Sequence, residues 1–461
     1  MKVAVAVVLG LVTAACGGAA TTPTSTLEQT GSPPVTTGPA TTALDARRPV
    51  PCDPAPPAVF APLCESYRLV VDHYYRPLDA AALAAAALAG VVAADPPPGT
   101  GGPFVCALPA EPFDAVCSEI EARVRGSGAS ASALVEAAVD GIFRYGLDPF
   151  SSYVPPDAVG LVDLDTPGRI RSLGIVVALR GADGVVCAVA DDDCRLEVVA
   201  VDEFGPGDTA GLTVGDVIGG IDGVGVDGHT LVDAVRRLDG PVGSAVEIEV
   251  VRATHGLSKT LVRSYVPTAY VEWDLVGDDT AWIHLADFSQ TAAQALGEVL
   301  SSEELAGVDR ILLDLRGNPG GLLPAAQGVL SQFLGVGTAF VLGDTDGTRT
   351  VPVLPGGLAT DVRLVVLVDR GTASAAEIVA AALQETGRAL VVGERTFGKD
   401  AIQEVFRLRH GGEARISVAT WTTAGGLSVG VTGLVPDVAV AADPEGSTDP
   451  AFEEGLRRLG R

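Results

Sequence analysis

The 461-residue chain carries 58 Asp and Glu against 31 Lys and Arg, a net charge of -27, so it is long enough for two to four domains and repels phosphate backbones, which excludes a nucleic-acid partner. Apolar residues make up 47% and charged residues 19%, the ordinary globular balance, which rules out wholesale disorder. Five His and seven Cys include neither a CxxC nor an HExxH pair, so no metal site and no cofactor are expected.

Residues 3–15 form a largely apolar run of 13 behind Met1 and Lys2. That is too short to span a bilayer and suits the core of a signal peptide, so residues 1–15 are read as a removed signal. The run ends Thr13-Ala14-Ala15-Cys16, which resembles a bacterial lipobox. The resemblance implies a lipid on Cys16 and a place in the bacterial cell envelope, outside the cytoplasm and anchored to the membrane. Thr13 stands where that pattern prefers Leu, and ordinary secretion is the alternative. Over 16–50 the composition is Thr, Pro, Gly and Ala without an aromatic residue, a disordered linker spanning about 30 to 35 Å root-mean-square.

The other cysteines are Cys52, Cys64, Cys106, Cys117, Cys187 and Cys194. Six cysteines allow about 15 connectivities. The sequence-local pairs 52 with 64, 106 with 117 and 187 with 194 are expected because short separations close easily, free buried thiols being the alternative.

Apolar spacing of three to four over 67–71, 79–94 and 133–145 predicts a helical N-terminal domain over 51–158, interrupted by prolines at 96–98. Short β-rich runs with Gly turns surround one helical stretch, 230–238, and predict a β-rich domain over 159–255. From 256 to 445, strand-like runs at 281–285, 310–314, 364–368 and 390–392 alternate with helical runs at 292–300, 325–333 and 375–383, the rhythm of an α/β sheet. A helical tail is expected over 446–461.

Three loops of this α/β region carry reactive residues. Ser374 lies between a strand and an Ala-rich helix, where a Ser also serves as an N-cap. Lys399 sits in a Gly-flanked loop after the next strand, and the only other lysines are Lys2 and Lys259. Burial lowers a lysine's affinity for its proton and lets it act as a base toward a nearby Ser. The loop Asp314-Leu315-Arg316-Gly317-Asn318-Pro319-Gly320-Gly321 offers backbone N–H groups that approach a substrate closely.

Together these loops resemble the carboxyl-terminal processing (tail-specific) serine proteases, whose signatures are like DLRGNPGG, then G[ST]ASASE, then TFGKGxxQ. Here they are residues 314–321, 371–377 and 396–403, with Lys399 at the family's usual interval of 25 residues after Ser374. The resemblance implies Ser374 as nucleophile, Lys399 as general base, and Gln403, one helical turn later, as the side chain that orients the Lys. It implies an oxyanion hole from Gly320 and the Ala375 amide, with Gly321 able to replace Gly320. It also implies a crotonase/Clp-protease-like α/β core. Asp400 departs from the family's Gly; an acid beside Lys399 favours the ammonium unless it points away, which predicts low activity or a shift to higher pH.

Leu173, Gly174, Ile175 and Val176 resemble the carboxylate-binding loop of a PDZ domain, residues 206–218 its GSPAxxAGLxxGDxI run, and 147–153 the family's LDPxSxY segment. These imply protein substrates held by apolar C-terminal tails; the oligomeric state stays open. The competing reading is an inactive peptide-binding lipoprotein scaffold. A crotonase-like acyl-CoA enzyme is disfavoured by the export signal, and a Ser428 hydrolase by the Gly-rich setting of its GxSxG.

Overall fold

A computed structural model describes residues 58–95, 113–159, 169–170, 172–182, 184–202, 205–264, 271–443 and 448–460; the expectations for the signal peptide, Cys16, the linker, Cys52 and Cys106 fall outside them. Four helices come first: α1 (Ala61–His73), α2 (Ala80–Ala93), α3 (Asp114–Ser127) and α4 (Ala131–Gly146). Apolar spacing does not reveal α3, whose buried stripe is only Val116, Cys117 and Ile120 between charged neighbours. The Asp79 side chain caps α2 by accepting from the Ala81 N–H. Small residues let α2 and α4 meet backbone to backbone: a Cβ on Gly90 would stand 2.2 Å from the Ala137 carbonyl, and one on Gly141 2.5 Å from that of Ala86.

The expected PDZ module is a seven-stranded antiparallel sheet. Its strands β2 (Arg169–Ile170), β3 (Ile175–Gly181), β4 (Cys194–Val201), β5 (Val217–Ile221), β7 (Ala245–Arg252) and β8 (His255–Val262) run in that order, with β6 (Val224–Gly225) beside β5. Helices α5 (Pro206–Thr209) and α6 (Leu231–Leu238) complete it. The β7–β8 hairpin pairs from Ala245↔Val262 to Arg252↔His255, so the sheet continues past the boundary at 255. Leu173, Ile175, Val177 and Leu179 point into the module's own core. On the other face of β3, Val176 and Ala178 pack against Ala373 and Phe397 of the α/β body, which leaves the strand buried on both sides.

The body contains a six-stranded sheet ordered β18 (Val438–Ala439), β15 (Leu390–Gly393), β14 (Arg363–Val368), β11 (Arg310–Asp314), β10 (Thr280–Leu285) and β9 (Val271–Leu275). All pairings are parallel except β9 with β10. Parallel strands need crossover helices, and α7 (Ala292–Leu300), α8 (Leu323–Phe333) and α9 (Ala375–Glu385) supply them. One face of the sheet, with Leu313, Val366 and Val391, buries under α8 and α9. The other, with Leu312, Val365 and Leu367, is covered by Phe452, Leu456 and Leu459 of α10 (Pro450–Leu459). The segment expected as a tail is therefore part of the core.

A second sheet joins β1 (Ser152–Val154), β17 (Glu413–Thr422), β12 (Thr338–Asp344) and β13 (Gly347–Pro352), with β16 (Ala401–Arg407) on β17. Through β1 the N-terminal segment enters the sheet that supports Lys399. Cys187 and Cys194 form a disulfide with Cα atoms 6.4 Å apart. Cys64 and Cys117 are also disulfide-bonded, while their expected partners lie outside the described residues. Among the described residues no helix is long and apolar enough to cross a membrane.

Candidate active site

Ligands of parallel α/β sheets bind at the carboxyl ends of the strands, and the loops leaving β11, β14 and β15 are laced together there. The Ala373 N–H donates to the Asn318 carbonyl at 2.9 Å and the Phe397 N–H to that of Thr372 at 2.9 Å. The Asp369 carboxylate accepts from the N–H groups of Gly317, Gly371 and Thr372 at 2.9 to 3.0 Å.

Ser374 opens α9 with φ 51° and ψ -115°. A non-glycine residue with positive φ costs on the order of 1 to 3 kcal/mol, strain that concentrates at functional sites. The neighbouring loop fits only because it ends in glycine: a Cβ on Gly320, whose φ is +100°, would lie 2.7 Å from the Ala373 carbonyl, 2.8 Å from Ser374 Cβ and 2.9 Å from the Ala375 nitrogen. The Gly320 N–H donates to Asn318 Oδ1 at 2.9 Å. The Ala375 N–H belongs to the first helical turn, whose amides have no partner within the helix.

Sequence reading did not single out Glu377, which organises the site. It is fully buried. Its Oε2 accepts from the Ser374 N–H at 2.9 Å and the Lys399 N–H at 2.8 Å, while Oε1 accepts from the Gly398 N–H at 2.7 Å and from the Thr396 hydroxyl. One carboxylate oxygen thus holds the backbones of both reactive residues. Burial pushes the Glu377 carboxyl up, opposed by these hydrogen bonds. The signal in the sequence was the acid three residues after a helix-starting Ser, the spacing of a capping box.

Lys399 is 8% exposed. Burial lowers its pKa from 10.5 to about 8, and the Arg415 guanidinium pushes the same way against Asp148 and Glu377. Its Nζ donates to Gln403 Oε1 at 2.7 Å, and Gln403 Nε2 donates to the Phe150 carbonyl. The expectation that Gln403 follows by one helical turn is corrected: it lies on β16, beside a register irregularity between Ile402 and Gln403. Four residues along a strand return to the same face, as one helical turn does, so the side chains still meet.

The concern about Asp400 is answered by its rotation. Its Oδ2 accepts from the Ser428 hydroxyl at 2.7 Å, and Asp400 is not among the charges that set the Lys399 pKa. Ser428 of the GxSxG string is therefore a partner for this acid. Asp400→Asn should leave the catalytic rate within about twofold at every pH, the usual range for a substitution away from buried networks, as measured by kcat/KM against pH.

A cavity joins this site to the β-rich module: Lys399 and Gln403 line it together with Leu179 of β3 and Leu231, Val232 and Val235 of α6. The expected carboxylate loop lies at the start of β3, where the Leu173 N–H donates to the Ile170 carbonyl at 3.0 Å. The side chains of Leu173 and Ile175 are buried in the module's own core, while Val176 lines the cavity with Leu179 and with Leu231, Val232 and Val235 of α6. Among the described residues no group of His, Cys, Asp and Glu is arranged to hold a metal ion.

Residues 279–440 match the model of peptidase family S41 and residues 197–252 that of a PDZ domain. The chain is 33% identical over 299 residues to the carboxyl-terminal-processing protease of Synechocystis, across 64% of this chain and 68% of that one. It is 31% identical over 323 residues to the carboxy-terminal-processing protease of Bartonella bacilliformis, across 67% of this chain and 69% of that one. Among solved structures, a photosystem II D1 C-terminal processing protease aligns with a TM-score of 0.64 at 25% identity, over 88% of this chain and 98% of that chain.

Proposed function

This chain belongs to the carboxyl-terminal-processing protease family, peptidases of family S41 with a PDZ domain, and on that premise we propose that it cleaves exported proteins with a Ser374–Lys399 dyad after capturing their apolar C-terminal tails. Neutral Lys399 takes the proton as Ser374 Oγ attacks the scissile carbonyl, then hands it to the leaving amine. Water hydrolyses the acyl-enzyme by the same proton path in reverse. Gln403 keeps Nζ aimed, because its own amide is tied to Phe150. The developing oxyanion meets the Ala375 N–H at the positive end of α9 and the N–H of Gly321, or that of Gly320 once it releases Asn318 Oδ1.

The observation that carries this reading is the shared Glu377 oxygen, which holds the Ser374 and Lys399 backbones together while burial lowers the lysine's pKa. The tail enters the space between β3 and α6, and its carboxylate replaces the Ile170 carbonyl at the Leu173 N–H beside Gly174, Ile175 and Val176. Amidating the tail removes that charge and should weaken binding by on the order of 1 to 3 kcal/mol. Calorimetry with matched acid and amide peptides checks this, and equal affinities would sink tail recognition while leaving the dyad untouched.

A lipid on Cys16, with the linker as spacer, would hold the enzyme on the outer side of the membrane, in an oxidising setting that suits its disulfides. Cys16→Ala should then move the protein from the detergent phase to the aqueous phase. Unchanged partitioning of that variant refutes the anchor.

A further inference from the structure

Leu231, Val232 and Val235 of α6 line the cavity together with Leu179 of β3, while Ala234 and Leu238 on the same helix pack into the module's core. A helix of eight residues has little stability of its own, so the position of its open half depends on what grips it from outside. Part of that grip is its own capping box, Thr230 with Asp233. A second part is Arg144 of α4, which donates to the Gly228 carbonyl at 2.9 Å and to Asp233 Oδ2 at 2.8 Å.

The third part is the excursion between β3 and β4 that the Cys187–Cys194 disulfide closes. The Ala190 N–H donates to the His229 carbonyl at 2.9 Å, and the Gly228 N–H donates back to the Ala190 carbonyl at 2.8 Å. Val189 also forms a β-bridge with Thr230. At its other end the loop is anchored in the sheet, because Cys194 is the first residue of β4 and pairs with Gly181 at the end of β3. Cys187 and Ala188 stand in the cavity wall themselves. A continuous link therefore runs from the strand that forms one side of the groove, through a covalently closed loop, to the residues that start the helix on its other side.

We propose that the Cys187–Cys194 loop is a specificity element of the tail site: it fixes the spacing of α6 from β3 and so sets which apolar tails the groove accepts. The reading of the groove as the tail site underlies this. Without the disulfide the loop gains conformations in which its bonds to Gly228 and His229 are broken. The helix start is then held by Arg144 and its own cap, and the groove must be ordered at the moment a tail binds, which lowers affinity. Lys399 and Gln403 line the same cavity but lie on segments that the disulfide does not hold, so the expected signature is in KM more than in kcat.

The test compares the full-length wild-type enzyme with the double variant Cys187→Ser, Cys194→Ser, using one peptide with an apolar tail and a free carboxylate. The double variant should bind it at least about tenfold more weakly, with KM for a tailed protein rising in proportion and kcat falling less than about threefold, a split that marks a positioning role. Hydrogen exchange of the α6 amides should become faster. A peptide Kd within about twofold of wild type overturns the proposal. If the double variant does not fold, Ala190→Pro keeps the disulfide and deletes the N–H that bonds His229. It should weaken the peptide severalfold, and an unchanged Kd there overturns the proposal equally. Should the wild-type enzyme bind acid and amide peptides alike, the tail reading fails first and this inference with it; normal discrimination by the wild type with unaffected binding by both variants removes the loop's role alone.

Discussion

Lys399→Arg should be as inactive as Lys399→Ala, each losing several orders of magnitude in kcat, because a guanidinium keeps its proton at any pH the fold survives. Ser374→Ala and the Ser374→Ala, Lys399→Ala pair should show the same residual turnover, since residues that act as a unit do not lose activity additively. An arginine variant with more than about a tenth of wild-type turnover would overturn the dyad, which requires an amine that deprotonates. The pH profile supplies a second reading. With Lys399 lowered to about 8, kcat/KM should rise about tenfold per pH unit below that value and level off above it. The same shift makes a stability statement. Below the folded pKa both states hold the proton and folding must bury a charge; between about 8 and 10.5 only the unfolded chain keeps it, so stability should rise across that window. Lys399→Met, which never carries the charge, should show no such rise in denaturant titrations at pH 7.5 and 10.

Glu377→Gln should cost about a hundredfold or more in kcat although it preserves the side chain's shape. The carboxylate accepts at both oxygens: Ser374 and Lys399 N–H groups on Oε2, Gly398 N–H and the Thr396 hydroxyl on Oε1. Glutamine presents one oxygen and one NH2; with its oxygen kept toward Ser374 and Lys399, the Thr396 hydroxyl can turn to accept but the Gly398 N–H faces another donor in a fully buried site, at about 1 to 3 kcal/mol. Relief comes by moving the Gly398–Lys399 backbone away from α9, and a misplacement of about 1 Å at reacting groups costs on the order of a hundredfold. Peptide affinity should fall far less than kcat, because Leu179, Leu231, Val232 and Val235 of the cavity wall lie on β3 and α6. Wild-type kcat in Glu377→Gln would show that the carboxylate fills space and does not align the pair. Glu377→Asp keeps the charge but shortens the reach, and should fall between the two.

The sequence by itself determined what neighbours along the chain decide. Each strand of the parallel sheet is a short apolar run, and each ends in a loop marked by Gly, Asp or Thr, so 310–314, 364–368 and 390–392 could be located and the residues behind them, Gly320, Ser374 and Lys399, read in order. The start of α2 at Asp79 and the longer helix of the β-rich module, α6, were legible for the same reason: caps and hydrophobic spacing act over a few residues; the four-residue α5 was not read. The low-contrast stripe of α3 was not, since its packing depends on neighbours far along the chain. The strand that carries Gln403 was not legible either, because periods of two and of three to four both return residue 403 to the face of residue 399. Only the tertiary structure turned Asp400 toward Ser428, placed Arg415 and Asp148 around Lys399, and gave Glu377 the N–H groups of two loops. It also folded the second face of β3 against Ala373 and Phe397, so that Lys399 and Gln403 line one cavity with β3 and α6. A buried charge responds to every group within several ångströms whatever its position in the chain; its chemistry is therefore fixed only when folding brings those distant segments together.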